Sequence, residues 1–257
     1  MNLNVKYTHT EEVHNMKDPN IIVPLVMEII MPKSVVDIGC GIGNFLKVFK
    51  ENGVVDTLGI DGSWVNRELL AKNISLTEFI EHDLENNIKL NKYYDLVVNL
   101  EVAEHLSINS AELHVKNLIN AGKIILFSAA IPNQPGQNHI NEQWLSYWEK
   151  LFFKHDYVLH NIMRPILWNT KCQTCYKQNM VVFTPKDYLF GHEIKYSILK
   201  DVVHKELYEF KIGQLEQINN EYKKMLNGTI SFKTVCKMIL KRTFGLKFWN
   251  KIKSTLD

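Results

Sequence analysis

The sequence predicts an α/β fold, a mostly parallel sheet of seven strands with helices on both faces, followed by a helical extension. Two observations predict it. From Ser34 onward, short runs of β-branched and apolar residues alternate with stretches of helical periodicity, as in successive β-α-β units. Near residue 190 this alternation ends, and polar, lysine-rich helical patterns follow. We therefore expect one domain over residues 1–190 and an extension over residues 191–257.

Each predicted strand is a short apolar run bounded by turn-forming or charged residues. The strands are expected at residues 34–38, 57–60, 77–81, 94–100, 123–129, 157–164 and 179–183. Helical periodicity separates these runs. Helices are expected at residues 20–31, 43–52, 65–72, 111–121 and 141–154, and in the extension at residues 192–226 and 232–252. Pro32 ends the first helix, because proline disfavours the helical conformation in the residue before it.

Composition places the chain among soluble globular proteins. Of its 257 residues, 46% are hydrophobic and 23% are charged, which are the averages of folded domains rather than of disordered chains. The apolar run at residues 21–31 contains Pro24 and Glu28 and is shorter than the roughly 20 residues of a membrane span. The first twenty residues carry charges where a signal peptide is apolar, and four cysteines form no disulfide framework at this length. A cytoplasmic protein is expected.

The net charge of +2 conceals an asymmetry along the chain. From residue 192 onward there are thirteen Lys and Arg against seven Asp and Glu, so the extension carries +6 and the preceding residues −4. Because basic contacts to phosphates supply most non-specific affinity for nucleic acids, the acidic main domain argues against such a partner. The extension interleaves lysines with apolar side chains. It is predicted to dock on the main domain or a second copy of the chain, or on an anionic membrane surface.

The most informative segment is a glycine-rich turn after the first strand. The run V-V-D-I-G-C-G-I-G at residues 35–43 ends a buried strand, and its glycines permit positive φ and close approach of a ligand to the backbone. Its spacing differs from the G-x-G-x-x-G of NAD-binding turns and lacks the Gly-Lys-Ser/Thr of phosphate-binding loops. Asp61 closes the second strand, where a carboxylate can accept both hydroxyls of a ribose. Asp83 follows the third strand, where an acid can accept an adenine amine.

Asp37, the turn glycines, Asp61 and Asp83, followed by Y-D-L-V-V at residues 94–98, resemble the motifs of class I S-adenosylmethionine-dependent methyltransferases. The resemblance covers about residues 14–185. It implies a Rossmann-like fold with S-adenosylmethionine as cofactor, in which Asp37 lies near the amino-acid end of the cofactor and Asp61 holds the ribose. The cofactor-binding residues expected are Asp37, Gly39, Cys40, Gly41, Asn44, Asp61, Gly62, Asp83, Leu84 and Leu100.

Two further segments are similar to a narrower group. N-L-E-V-A-E-H-L at residues 99–106 and F-S-A-A-I-P-N-Q-P-G-Q-N-H-I-N-E-Q-W at residues 127–144 resemble a bacterial subgroup of small-molecule methyltransferases associated with surface polysaccharide assembly. Arg164 and Asn179 fit the same subgroup. The resemblance implies methyl transfer to an oxygen of a small carbohydrate-derived acceptor, such as a nucleotide-linked precursor of capsule or lipopolysaccharide. Alternatives are a phosphoryl or phosphoramidate group on a capsule sugar, RNA or protein as substrate, and a non-catalytic relative.

A hydroxyl acceptor must lose its proton, and histidine is the usual base near neutral pH. In a doubly wound sheet the site lies beyond the carboxyl ends of the strands, so the candidates follow the fourth and fifth strands. His139 is the predicted base, and Glu101 and His105 are the other catalytic candidates. If residues 101–106 are helical, Glu101 and His105 share a face while Glu104 points elsewhere.

These side chains raise a metal-dependent alternative. Glu101, Glu104, His105 and His139 are good ligand types, but their spacing forms no tight ligand motif, so no metal is predicted. The lone C-x-x-C at residues 172–175 lacks the second pair of a zinc site.

Contacts to the acceptor are predicted for polar and aromatic residues near the later strands. These residues are Asn141, Glu142, Trp144, Arg164, Trp168 and Tyr176. Arg164 suits an anionic group of the acceptor, or an ordinary surface ion pair. Trp144, Tyr147 and Trp148 are spaced for one helix, so packing in the core is the alternative for Trp144.

Overall fold

One sheet of seven strands organises the main part of the chain. The computed structural model describes residues 15–190 and 201–228, together with residues 234 and 236. The chain divides into two compact units, Met1–His204 and Lys205–Asp257. The strands of the first unit are β1 (Ser34–Ile38), β2 (Asp56–Asp61), β3 (Phe79–Glu81), β4 (Tyr94–Leu100), β5 (Gly122–Ser128), β6 (Tyr157–His160) and β7 (Val181–Pro185).

The strand order is β3-β2-β1-β4-β5-β7-β6. The first five strands pair in parallel, and β7 runs antiparallel to both β5 and β6. The order reverses direction between β1 and β4. The predicted mostly parallel sheet of seven strands is therefore confirmed, and the carboxyl ends of β1, β2, β4 and β5 meet at one edge.

Helices cover both faces of this sheet. They are α1 (Lys17–Ile29), α2 (Asn44–Glu51), α3 (Arg67–Ala71), α4 (Ala111–Ala121), α5 (Leu145–Phe153), α6 (Met163–Leu167) and α7 (Thr174–Asn179). Successive residues of a strand point to opposite faces, so Val35 packs into an apolar cluster with α1 and α2, while Val36 packs into a second cluster with α4 and α5. The central strands β1, β4 and β5 are buried on both sides, as expected of a parallel sheet.

The third strand begins two residues later than predicted, because a helix cap precedes it. Ser75 caps a short 3₁₀ turn, Leu76–Glu78, in a capping box with Glu78. Thr77 therefore lies in the turn, and the strand begins at Phe79.

The prediction of a strand over residues 157–164 is wrong in its second half. The strand ends at His160, and Arg164 lies in the short helix α6. Pro165 is tolerated there because it falls in the first turn of the helix, where the backbone N–H has no partner within the helix. The last strand likewise begins at Val181, so Asn179 ends α7 instead of beginning the strand.

The second unit contains α8 (Lys205–Leu226). Tyr208, Leu215, Ile218 and Tyr222 are exposed along this helix. Residues 192–200 and nearly all of the helix predicted at residues 232–252 lie outside the described residues. Residues 201–204 are described, and they precede α8 without being helical. Docking, self-association and membrane contact of the extension therefore stay predictions. In the described part of the chain, no helix has the length and hydropathy to cross a membrane.

Candidate active site

The turn between β1 and α2 is held against the end of β2. Gly39 donates its N–H to the carbonyl oxygen of Ile60 at 2.7 Å. Gly39, Gly41 and Gly43 have φ values of 91°, 52° and 77°, which residues with a Cβ rarely adopt. A Cβ on Gly39 would lie 2.3 Å from Cγ2 of Val102. Glycine is therefore required at residue 39, and the turn presents bare backbone at the carboxyl edge of the sheet.

Asp61, the last residue of β2, joins that strand to the glycine turn. Its Oδ2 accepts the N–H of Gly41 at 2.8 Å, and its Oδ1 accepts the N–H of Gly62 at 2.6 Å. Burial raises the pKa of Asp61 to about 6, although these hydrogen bonds and one from the Trp64 side chain favour the ionised form. The carboxyl group is thus fixed beside the turn, and its charge changes close to neutral pH.

Asp37 brings a second buried carboxyl group to the same edge. It lies on β1, two residues before Gly39, and is 3% exposed. Burial raises the pKa of Asp37 well above its usual value, and the charge of Asp61 raises it further. Because each carboxylate disfavours ionisation of the other, a ligand that carries positive charge or donates hydrogen bonds stabilises the pair.

The remaining residues expected to contact the cofactor differ in burial. Five of them are buried, namely Cys40, Asn44, Gly62, Leu84 and Leu100. Asp83 is exposed after β3, and its carboxylate accepts hydrogen bonds from the N–H of Glu85 and from Nδ2 of Asn86. Asp83 therefore stabilises the exposed turn that follows β3.

These residues fit the S-adenosylmethionine that the resemblance implies. The glycine turn offers backbone N–H groups with no side chain in front of them. The carboxyl groups of Asp37 and Asp61 suit an ammonium group and ribose hydroxyls respectively. Asp37 and the turn glycines would hold the amino-acid end of the cofactor, and Asp61 the ribose.

Trp64 is a residue at this edge that sequence reasoning missed. Its ring packs over Gly62, where a Cβ would lie 2.2 Å from the nearest ring carbon. The Trp64 side chain also hydrogen bonds to Asp61. A single tryptophan in a turn carries no periodic signal, so only the contact with Asp61 identifies it.

A strained glutamate begins the second half of the site at the end of β4. Glu101 has a φ of 54°, a left-handed conformation that costs roughly 1–2 kcal/mol for a residue with a Cβ. Its carboxylate accepts hydrogen bonds from Nε2 of Gln134 at 2.6 Å and from Nδ2 of Asn179 at 3.1 Å. Asn179 also donates to Oε1 of Gln134 at 2.8 Å. Two buried amides therefore hold the Glu101 carboxylate in one orientation.

Glu104 points into the site, which corrects the prediction that it points elsewhere. Residues 101–106 form no α-helix, and a single 3₁₀ turn, Ala103–His105, follows β4. The Glu104 side chain is fully buried, and no donor in the described part of the chain makes a hydrogen bond to either carboxylate oxygen. Burial raises the pKa of Glu104 well above its usual value, and the charge of Glu101 adds to this. The prediction assumed the 3.6 residues per turn of an α-helix, whereas a 3₁₀ turn has three and orients Glu104 differently.

His139 faces Glu104 from the loop after β5. Its Nε2 lies 4.0 Å from Oε1 of Glu104, and its Nδ1 lies 2.9 Å from Oε1 of Glu142. The His139 ring meets His105 edge-on, with 5.0 Å between ring centroids. Burial lowers the pKa of His105 to about 4, and the charge of His139 acts in the same direction. His105 is therefore neutral at pH 7, and Glu142 orients His139 so that its Nε2 faces Glu104.

Backbone contacts hold the two loops together. The carbonyl oxygen of Glu104 accepts the N–H groups of Ile140 at 2.9 Å and Asn141 at 3.0 Å. Gly136 passes so close to the His139 ring that a Cβ would lie 1.9 Å from Nε2. The loop after β5 is thereby fixed relative to the end of β4.

A small pocket adjoins this group of carboxylates and histidines. Its polar and aromatic walls include Trp144, Trp148, Arg164, Gln178, Asn179 and Asp201. Asn179 also hydrogen bonds to Glu101, so the pocket reaches the end of β4.

Arg164 is a buried residue of this pocket, not a surface ion-pair residue. Its Nε donates to Oδ1 of Asn161 at 2.7 Å. Burial lowers the pKa of Arg164 to about 10, and the charge of Asp201 opposes this effect. A buried guanidinium beside an open pocket can contribute to binding a negatively charged group.

The other predicted acceptor residues lie in two places. Asn141 and Glu142 belong to the loop that carries His139, whereas Trp168 packs against His204, with 4.4 Å between ring centroids. Tyr176 meets Phe45 edge-on at 5.8 Å. Trp168 and Tyr176 therefore make packing contacts outside the pocket lining.

Sequence reasoning also missed Gln134 and Gln178. Gln134 lies 33 residues from Glu101 along the chain, and Gln178 accepts the N–H of His204 through its side-chain oxygen at 2.7 Å. Gln134 lies within the segment 127–144 that carries the resemblance, but nothing in that segment marks it as a partner of Glu101. Only the fold brings them to the site.

One group of side chains in the described residues could share a metal ion. The ligand atoms of Glu104, His105 and His139 all lie within 4.8 Å of one another. Cys172 and Cys175 do not belong to this group, and both thiols are free.

Solved structures with this fold include several methyltransferases. The sugar N-methyltransferase KedS8 from Streptoalloteichus sp. is 10% identical with a TM-score of 0.51, over 69% of this chain and 90% of that one. The methyltransferase domain of the bacterial CtHen1 is 19% identical with a TM-score of 0.50, over 66% and 98%. The small RNA methyltransferase HEN1 is 15% identical with a TM-score of 0.50, over 69% and 26%. At these identities the likeness concerns the fold.

The family itself follows from a direct match of the sequence. No curated protein matches the chain, but the family model described as a methyltransferase domain matches residues 20–164, which is more than half of it. The chain therefore belongs to the family of methyltransferase domains, and its cofactor is S-adenosylmethionine.

Proposed function

We propose that the protein transfers a methyl group from S-adenosylmethionine to an oxygen of a small, carbohydrate-derived acceptor, such as a nucleotide-linked precursor of capsule or lipopolysaccharide. The observation that carries the proposal is the hydrogen bond between His139 and Glu142, on a loop whose backbone is bound to the turn after β4. A hydroxyl acceptor needs such a base, because its proton must leave as the methyl group arrives.

The two halves of the site have separate tasks in this proposal. Bound S-adenosylmethionine supplies an activated methyl group. The glycine turn, Asp37 and Asp61 bind and orient it, while the rigid loops after β4 and β5 hold the acceptor in line and exclude water. His139 receives the hydroxyl proton on Nε2, and Glu142 stabilises the resulting positive charge through Nδ1. Glu101, fixed by two amides, faces the cofactor and the acceptor.

The choice of a small acceptor rests on the site and the charge of the main domain. The residues before 192 carry a net −4, which disfavours a polyanionic RNA substrate. The solved structures with this fold include one described as a sugar N-methyltransferase and one as a small RNA methyltransferase, so the fold alone favours neither. A buried Arg164 at the pocket suits the phosphate of a nucleotide-linked sugar or a phosphoryl group on the sugar itself.

The test has two parts. Calorimetric titration with S-adenosylhomocysteine is expected to give binding of one molecule per chain. A screen of nucleotide sugars, read by the mass increase of one methyl group, is expected to identify an acceptor. Methylation of RNA or protein, with no nucleotide sugar modified, would overturn the choice of acceptor. Absence of S-adenosylhomocysteine binding would overturn the assignment of the cofactor residues.

Cofactor affinity is expected to fall as the pH decreases through 6. The pKa of Asp61 is raised to about 6 by burial, and its ionised form is the better acceptor for hydroxyl groups. Below pH 6 the carboxyl group becomes protonated, so the affinity for S-adenosylhomocysteine should fall about tenfold per pH unit. Calorimetry from pH 5 to pH 8 measures this effect.

The matched variant for this experiment is Asp61→Asn. It should bind the ligand about tenfold or more weakly at pH 8 and lose most of the dependence on pH. The neighbouring charged groups, Asp37 and Arg67, remain in the variant. A pH dependence as steep as that of the unmodified protein would assign the titration to Asp37.

Replacing Trp144 by alanine is expected to weaken acceptor binding without affecting the cofactor. Trp144 lines the pocket and is 40% exposed, so its loss should leave the fold intact. Loss of an aromatic wall should raise the KM for the acceptor about tenfold, with kcat and affinity for S-adenosylhomocysteine changed less than twofold. Phe153→Ala, at an exposed residue of α5 outside the pocket, is the control. Equal KM values for both variants would contradict the placement of the acceptor.

A further inference from the structure

We propose that Glu104, His105 and His139 bind a divalent transition-metal cation. Their ligand atoms lie within 4.8 Å of one another, and Oε1 of Glu104 is 4.0 Å from Nε2 of His139. A cation about 2.0–2.2 Å from each atom brings such atoms to roughly 3–4 Å apart. A shift of about 1 Å in the most widely separated ligand atoms is therefore enough to close the set.

The Glu104 carboxylate is the observation that points to a positive ligand. Its side chain is fully buried, and neither oxygen has a hydrogen-bond partner in the described part of the chain. The backbone N–H groups of Glu104 and Ala130 face the carboxylate without reaching hydrogen-bond geometry. A buried carboxylate without a partner is strongly unfavourable. A cation between Glu104 and the two histidines removes that penalty.

His139 is oriented as a metal-binding histidine is. Its Nδ1 is held by Oε1 of Glu142 at 2.9 Å, and Oε2 of Glu142 accepts the N–H of Asn133 at 2.6 Å. A carboxylate on one ring nitrogen fixes the ring and strengthens the other nitrogen as a ligand. Nε2 of His139 faces Glu104. The space beside Nε2 is open because Gly136 has no side chain, whereas a Cβ there would lie 1.9 Å from Nε2.

The donor set selects the class of cation. Two imidazole nitrogens and one carboxylate oxygen suit Zn²⁺, Co²⁺ or Mn²⁺ better than Mg²⁺, which prefers oxygen ligands only. Three ligands from the protein leave positions open for water or for an acceptor hydroxyl. A cation there lowers the pKa of a bound hydroxyl.

The cation deepens the function proposed above, and only its role in the reaction rests on that proposal. With the cation bound, Nε2 of His139 would be a ligand and would not take the proton. The cation would lower the pKa of the acceptor hydroxyl, whose proton would pass to water while its oxygen takes the methyl group from the cofactor sulfur. Binding of the cation itself is independent of any acceptor.

Titration of the full chain with Co²⁺, followed by visible absorption and by calorimetry, tests the site. We expect one Co²⁺ per chain, displaced by Zn²⁺ and not by an equal concentration of Mg²⁺. Glu104→Gln and His139→Ala should each weaken Co²⁺ binding at least tenfold. Glu112→Gln removes a half-exposed carboxylate on α4 that pairs with Lys116 and Lys154, and it should leave Co²⁺ binding unchanged.

Thermal unfolding with and without chelator separates metal binding from a structural role of Glu104. In chelator, Glu104→Gln should be about as stable as the unmodified protein, because glutamine has the same size and shape and the Glu104 side chain makes no hydrogen bond that the substitution would remove. Co²⁺ should raise the Tm of the unmodified protein but not of the variant.

Equal Co²⁺ affinity in the unmodified protein and both variants would overturn the inference, as would a lack of binding at about millimolar Co²⁺. S-adenosylhomocysteine binding, measured on the same samples, keeps the two proposals apart. If the unmodified protein binds S-adenosylhomocysteine but not Co²⁺, the cation site alone is refuted. Co²⁺ binding without methyl transfer to any acceptor supports the cation site and counts against the proposed reaction.

Discussion

Replacing His139 by alanine is expected to lower kcat about 100-fold or more. The variant removes the group that takes the hydroxyl proton or, where a cation is bound, one of its ligands, and general base catalysis contributes about 10²–10⁴-fold to such steps. His139 lies in a loop and interacts with His105, Glu104 and Glu142, none of which is an expected cofactor residue. The affinity for S-adenosylhomocysteine should therefore change less than twofold. Steady-state kinetics with the acceptor from the nucleotide-sugar screen measure the loss.

Two further variants make this result specific. Glu142→Gln keeps a hydrogen-bond acceptor for Nδ1 but removes its charge, so it should lower kcat by about tenfold. Glu112→Gln, at a half-exposed site on α4, should leave kcat unchanged. A loss of less than threefold in His139→Ala would transfer the role of base to His105 or Glu101.

Replacing Gly39 by alanine is expected to lower the free energy of unfolding by about 2–4 kcal/mol. The residue has a φ of 91°, which costs a residue with a Cβ about 1 kcal/mol. The new Cβ also lies 2.3 Å from Cγ2 of Val102, and such overpacking costs about 1–3 kcal/mol more. The turn must then move, so the affinity for S-adenosylhomocysteine should fall as well. Urea unfolding and calorimetry measure the two effects.

Gly53 provides a matched control for the cost of placing a residue with a Cβ at positive φ. Its φ is 95°, but a Cβ there would meet no atom within 4 Å. Gly53→Ala should therefore cost only about 1 kcal/mol and leave cofactor binding unchanged. The double variant Gly39→Ala/Val102→Ala should be less destabilised than the sum of its single variants. Equal losses in Gly39→Ala and Gly53→Ala would show that the contact with Val102 has no effect.

The sheet could be predicted because its strands carry strong local signals. The bounds of β1 and β4 match the predictions, since both are apolar runs that end at distinct turn residues. The prediction was wrong where a local hydrogen bond or a proline changed the backbone, as at Ser75 and at Arg164 and Pro165. Such effects act over three or four residues and leave little trace in periodicity.

The sequence by itself determined the α/β class, the glycine turn and the acids at the ends of the first strands, because each depends on residues close together in the chain. Only the tertiary structure decided how the second half of the site is built. Glu104 is buried and faces His139, 35 positions away, and Gln134 and Asn179 hold Glu101 from two other segments. These contacts depend on how the turn after β4, the loop after β5 and the end of α7 pack together. The spacing of residues along the chain does not determine that packing.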